Sequence, residues 1–139
     1  MASQISIRPW AERDRDAVQG LLLSLLAPDA PAVAGDAPTY VAEADDEVVG
    51  MVTVCVFTTL TGKKAYLDHL VVARSWRGRG VARQLMRHAI DIATTAGASR
   101  LDLTASDEKV AARTLYGSLG FHERETGNFR LPLAPSTRH

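Results

Sequence analysis

Three things are scarce in this chain. It carries one cysteine, Cys55, in 139 residues, so no disulfide forms within it and no cysteine cluster holds a metal. Cys55 lies in an apolar run and reads as a buried, inert thiol. No stretch approaches the ~18 consecutive apolar residues of a membrane span. Met1-Ala2-Ser3-Gln4 opens no signal peptide, and the expectation is a cytoplasmic protein with no membrane partner. An excess of one charge is also missing: Lys and Arg number 16, as do Asp and Glu. Net charge therefore gives no support to general nucleic-acid or membrane association. There are no internal repeats and no low-complexity segments. The length suits one domain over residues 1–139, with 1–4 and 134–139 as tails.

What is present concentrates in residues 67–86. Leu67, Leu70, Val71 and Val72 read as a strand. Val81, Leu85, Ala89, Ile92 and Ala96, spaced four or three apart, read as one face of a helix. Gly78 and Gly80 stand between them, where backbone N–H groups and the positive end of the helix dipole favour an anion. Arg74, Arg77, Arg79, Arg83 and Arg87 are cationic, and no acid occurs between Asp68 and Asp91. The stretch reads either as a phosphate site or as a solvated basic helix face after a tight turn. It is neither a Walker loop, lacking Gly-Lys-Ser/Thr, nor a dinucleotide fingerprint, lacking the third glycine.

Along the rest of the chain, Ile5–Arg8 before Pro9 suits a first strand. A helix follows, with Glu12, Asp14 and Asp16 in or near its first turn. Ala17, Val18, Leu21, Leu22 and Leu25 form its buried stripe. Pro28, Pro31, Pro38 and Gly35 make residues 27–38 a loop, either a substrate rim or a passive connection. Residues 40–44 and 48–58 read as strands joined through Asp45-Asp46-Glu47, the second covered on both faces. Gly97 ends the central helix, residues 100–104 form a short strand, and Ser106 or Asp107 caps a helix that stops at Gly120. Residues 121–124 and 128–133 read as a final pair of strands, whose edge offers a route to a homodimer.

Arg77-Gly78-Arg79-Gly80-Val81-Ala82 resembles the Arg/Gln-x-x-Gly-x-Gly/Ala signature of the GNAT superfamily of acetyl-CoA-dependent N-acetyltransferases. Ala112-Arg113-Thr114-Leu115-Tyr116-Gly117-Ser118-Leu119-Gly120-Phe121 is similar to that family's Ala-x-x-Leu-Tyr-x-x-x-Gly-Phe block, in the family's order. The resemblance implies an α/β, single-domain, GNAT-like fold. Its mixed, mostly antiparallel central sheet has six to seven strands, splays at strands 4 and 5, and is flanked by helices. Residues 1–40 carry the least specific part of the likeness.

The resemblance also implies roles. Main-chain groups at Leu70, Val71 and Val72 would bind the pantetheine arm and polarise the thioester. The N–H groups of Arg77, Gly78, Arg79, Gly80, Val81 and Ala82 would hold the pyrophosphate. Tyr116 matches the tyrosine that acts as general acid; without the motif it reads first as a core aromatic beside Ala112 and Leu119. Asp68 and His69 are the general-base candidates, and strand alternation lets at most one of them face the reaction. A salt-bridged Asp and a satisfied His are the alternative, as is an amine delivered neutral. Lys109 stands where the family often has Asn, and Ala82 is the signature's allowed variant.

The implied function is direct acetyl transfer from acetyl-CoA to a primary amine, in a ternary complex and without a metal. A small-molecule amine leads. A protein or peptide amine, or a non-catalytic acyl-CoA sensor, are the alternatives. An Arg-Gly RNA binder is disfavoured because the arginine stretch lacks interleaved aromatics beyond Trp76. Asp29, Asp36, Glu43, Asp45, Asp46 and Glu47 read either as a field for a cationic amine or as a solvated turn. His88 and His122 have no evident role.

Overall fold

The computed structural model describes residues 4–26, 38–104 and 110–133. The chain divides into two compact units, one ending at Thr104 and one following it. In the first, β1 (Ser6–Pro9), α1 (Arg15–Leu26), β2 (Thr39–Ala44), β3 (Glu47–Thr59), β4 (Gly62–Val72), α2 (Val81–Thr95) and β5 (Leu101–Asp102) follow one another. The second contains α3 (Val110–Ser118).

Five strands form one sheet in the order β1-β2-β3-β4-β5. The first three pairings are antiparallel, and β5 joins β4 in parallel after the α2 crossover. Pro9 lacks an N–H but sits on the edge strand, where none is required. The β2–β3 turn uses Asp45 (φ 52°) and Asp46 (φ 63°), a left-handed pair that matches the twist of a two-residue hairpin.

One face of the sheet receives α1. Val41, Met51 and Val71, paired across three strands, pack under Val18 and Leu21. Ala17, expected in that stripe, is exposed because the helix turns it outward. Against the other face lies α2, burying Val81, Leu85, Met86, Ala89 and Ala93. A fully buried Leu or Met side chain contributes about 1.5–3 kcal/mol. Between the two layers, Val49–Val54 of β3 are buried without a break, as expected for a strand covered twice. That cover ends at Cys55, which is half-buried rather than buried, and Val56 and Phe57 are exposed.

The 3-10 turn Glu12–Asp14 that leads into α1 is closed by its own chain. The Asp14 carboxylate accepts from the Ala11 N–H at 2.7 Å and from two guanidinium nitrogens of Arg8 at 2.8 and 3.0 Å. Arg8 also donates to Glu43 at 2.9 Å. Asp14 is buried, and the Arg8 bond holds its carboxyl below the ordinary 3.8, the largest of several causes.

Two expectations change in the C-terminal part. Residues 121–124 and 128–133 form no strand among the described residues, and the sheet has five strands rather than six or seven. A strand needs a ladder partner for its backbone groups, and none is paired with this segment. Phe129, Leu131 and Leu133 are 97%, 81% and 82% exposed. The edge expected to pair two copies belongs to this same segment. The loop at 27–37, the caps Ser106 and Asp107, and Lys109 lie outside the described residues. No helix among the described residues is long and apolar enough to cross a membrane.

Candidate active site

The register of β3 and β4 is interrupted at one place. Met51 pairs with Val71 and Thr53 with Asp68, so His69 and Leu70 together oppose Val52. This is a β-bulge, and His69 takes φ 52°, a left-handed value uncommon outside glycine. The slip brings Asp68 and Val71 onto the same face, where a regular strand would separate them. It also changes the expected relation of Asp68 and His69. They do not diverge: the Asp68 carboxylate accepts the His69 N–H at 2.9 Å and lies 3.6 Å from Nδ1. Both side chains reach solvent.

Among the described residues, β4 keeps only a short register with β5. The parallel pairing consists of Ala65 with Leu101 and Tyr66 with Asp102. Among the described residues, no β5 residue is in register from Leu67 to Val72.

The chain then passes a 3-10 turn, Arg74–Trp76, and residues 77–80 to enter α2. Gly78 and Gly80 adopt φ of 77° and 84°, and a Cβ built on either meets nothing within 4 Å. Conformation, not crowding, requires glycine there. No side chain caps α2. The amides of Gly78, Arg79, Gly80, Val81 and Ala82 have no acceptor among the described residues, while the Gln84 N–H closes a helical turn at 3.1 Å to Gly80 O. Exposed arginines surround this start. Arg77 Nε donates to Val72 O at 3.2 Å, and the Arg79 guanidinium lies 4.3 Å from the centroid of the buried Trp76 ring. Open amides, an uncompensated dipole and cations together make an anion site.

Two side-chain positions that hold this start in place are absent from the sequence reading. A Cβ on Gly50 would meet Leu85 Cδ1 at 3.0 Å, Val81 Cγ1 at 3.1 Å and Val71 O at 3.2 Å. Gly50 lets α2 come down against the end of β4. A glycine inside a strand pattern is the available signal for such an approach. Trp76 is the other, visible only as an aromatic between two arginines.

In the second unit, Tyr116 lies on α3 and owes its setting to the helix end. The Phe121 N–H donates to Tyr116 O at 3.1 Å and the Gly120 N–H to Gly117 O at 3.1 Å, with Gly120 at φ 97°. This is a Schellman stop, and its usual apolar contact is the Tyr116–Phe121 ring pair, 6.1 Å between centroids. The spacing Tyr-x-x-x-Gly-Phe thus has a mechanical reason. Tyr116 is half-buried, and burial pushes its phenol above the ordinary 10.0. His88 packs against Tyr40 at 4.7 Å and His122 is exposed; neither joins the residues above.

Comparison with known proteins agrees with this geometry. The family model described as Acetyltransferase (GNAT) family matches residues 4–121. N-acetyltransferase 8B of Homo sapiens is 38% identical over 90 residues, covering 63% of this chain and 39% of that protein. N-alpha-acetyltransferase MAK3 of Arabidopsis thaliana is 38% identical over 58 residues, 42% of this chain and 30% of that one. The chain thus spans well under half the length of these curated relatives. Among solved structures, the aminoglycoside N-acetyltransferase AAC(6')-Iy in complex with CoA superposes with a TM-score of 0.78 at 22% identity, covering 96% of this chain and 98% of that one. With a glycine turn that opens α2 and a match across most of its length, this chain belongs to the GNAT family of acetyltransferases.

Proposed function

We propose that the chain transfers an acetyl group from acetyl-CoA to a primary amine of a small molecule, by direct attack within a ternary complex. The observation that carries this reading is the uncapped α2 start that follows β4 and its bulge. The amides from Gly78 through Ala82 would bind the diphosphate, with Arg79 supplying charge above Trp76; the Arg77 N–H, expected among them, is instead taken by Arg74 O at 3.3 Å. Main-chain groups of Leu70, Val71 and Val72 would line the pantetheine arm and donate to the oxygen that gains charge. When bound, acetyl-CoA supplies the acetyl group as a thioester.

Two proton movements then fall to side chains. The Asp68–His69 pair would accept the proton that the attacking amine must lose, Asp68 directly or through water. Tyr116 would donate to the departing sulfur, and its raised pKa keeps the phenol protonated at neutral pH. We take the two units as one catalytic domain working in the cytoplasm, with no metal, no nucleic acid and no membrane partner. A homodimer fits this reading without being required by it.

Replacing Tyr116 with Phe tests the assignment. It should lower kcat about 100-fold, within the usual range for loss of a general acid, with the acetyl-CoA dissociation constant within about twofold. Undiminished turnover removes the phenol's role. A protein that binds acetyl-CoA but releases no thiol with any amine is a sensor instead.

A further inference from the structure

The face of the sheet that carries Asp68 continues past the cover of α1. Along it, Thr39 pairs with Thr53 and Thr53 with Asp68; the next row is Cys55, Tyr66 and Asp102; the next is Phe57 and Lys64. Paired residues share a face, and successive rows on one face are about 7 Å apart. The Thr39 and Thr53 hydroxyls bond each other at 2.9 Å in a buried floor. Above that floor, Asp68 is exposed, Cys55 and Tyr66 are half-buried and Phe57 is 47% exposed. The Tyr66 hydroxyl is engaged with Thr104 Oγ1 at 3.2 Å, which fixes the ring.

Charge along this strip is sparse. Among the described residues Asp68 is paired with His69, whereas Asp102 is held by Arg100 at 3.1 Å and Lys64 Nζ donates to Ser99 Oγ at 3.3 Å. The acids Asp45 and Asp46 sit at the opposite end of β3, and Glu43 is bound to Arg8. Among the described residues this strip offers one available carboxylate followed by two rings, which does not suit a polycation that needs several carboxylates. It suits a single ammonium with an apolar body extending one to two rows from it.

We propose that the acceptor is a monocationic primary amine on an apolar, ring-sized body, with Asp68 receiving the ammonium and Tyr66 and Phe57 receiving the body as specificity-determining side chains. This rests on the acetyl-transfer reading above and names its acceptor class.

Steady-state thiol release with 2-phenylethylamine, ethylamine, kanamycin and a short peptide with a free N-terminus tests it. The expected result is a kcat/KM for 2-phenylethylamine at least about tenfold above each of the others, since burying a ring contributes more than one factor of ten in affinity. Phe57→Ser and Tyr66→Leu should each raise the KM for 2-phenylethylamine about three- to tenfold while leaving the KM for ethylamine and for acetyl-CoA in place. A merely structural role would move all three. Equal kcat/KM across the panel, or preference for kanamycin or the peptide, overturns the proposal and leaves acetyl transfer standing. Equal effects of the variants on both amines also overturn it. Absence of thiol release with every amine overturns the transfer reading and this proposal with it.

Discussion

Two helical segments in this molecule begin in opposite ways. The start leading into α1 is closed: Asp14 takes the Ala11 N–H and is itself clamped by Arg8. The α2 start has left-handed Gly80 as its N-cap, no side-chain cap, and arginines where an acid would stabilise it. Both obey the same rule, that the first amides of a helix need acceptors. One supplies the acceptor from its own sequence and gains stability. The other withholds it and gains an anion site. Function is legible at a helix start from what is not supplied there.

The contrast can be broken most severely by giving α2 what α1 has. Gly80→Asp should weaken acetyl-CoA binding about 100-fold by calorimetric titration, through added negative charge and a strained φ. Gly80→Ala, which adds only the strain, should weaken it less. Unaltered affinity in the Asp variant would mean that this start holds no anion. The reverse operation is to open the first start. Asp14→Ala should lower unfolding stability in urea by about 2–3 kcal/mol by stranding a charged partner, with acetyl-CoA affinity of the folded protein unchanged.

A pH titration sharpens the same point. The folded-state pKa of Asp14 lies below its ordinary 3.8. Its contribution is therefore complete above that value and is lost as pH falls through the lower folded value. Acid unfolding of the wild type should show this limb below about pH 4, and Asp14→Asn should flatten it. The smallest effect is expected at Arg79. Its side chain is exposed, and Arg79→Ala should weaken acetyl-CoA binding about two- to fivefold, the scale of a solvent-screened charge contact.

Much of this was readable beforehand. The 3.6-residue spacing of Val81, Leu85 and Ala89, the stops at Gly97 and Gly120, and the paired acids of the β2–β3 turn each rest on local chemistry that a linear string expresses. The bulge was not readable. Leu67-Asp68-His69-Leu70 contains no glycine to mark it, and a two-residue period placed Asp68 and His69 on opposite faces. Non-local pairing decides such a slip, and pairing is invisible in one strand alone. Phe129, Leu131 and Leu133 show the reverse failure: the alternation is present, but no neighbour takes up its bonds. Ala17 and Cys55 show a third, since composition says apolar without saying where cover ends. Gly50 could have been found; its isolation within a valine-rich strand was the clue.

The short β5 has one more implication. Because it keeps register with β4 for only two residues, a linear molecule bearing amides laid along Leu67–Val71 would sever no β4–β5 rung formed among the described residues. Its hydrogen bonds would be added to the native set, not exchanged for part of it. Seating such a guest would leave the sheet's own cohesion whole.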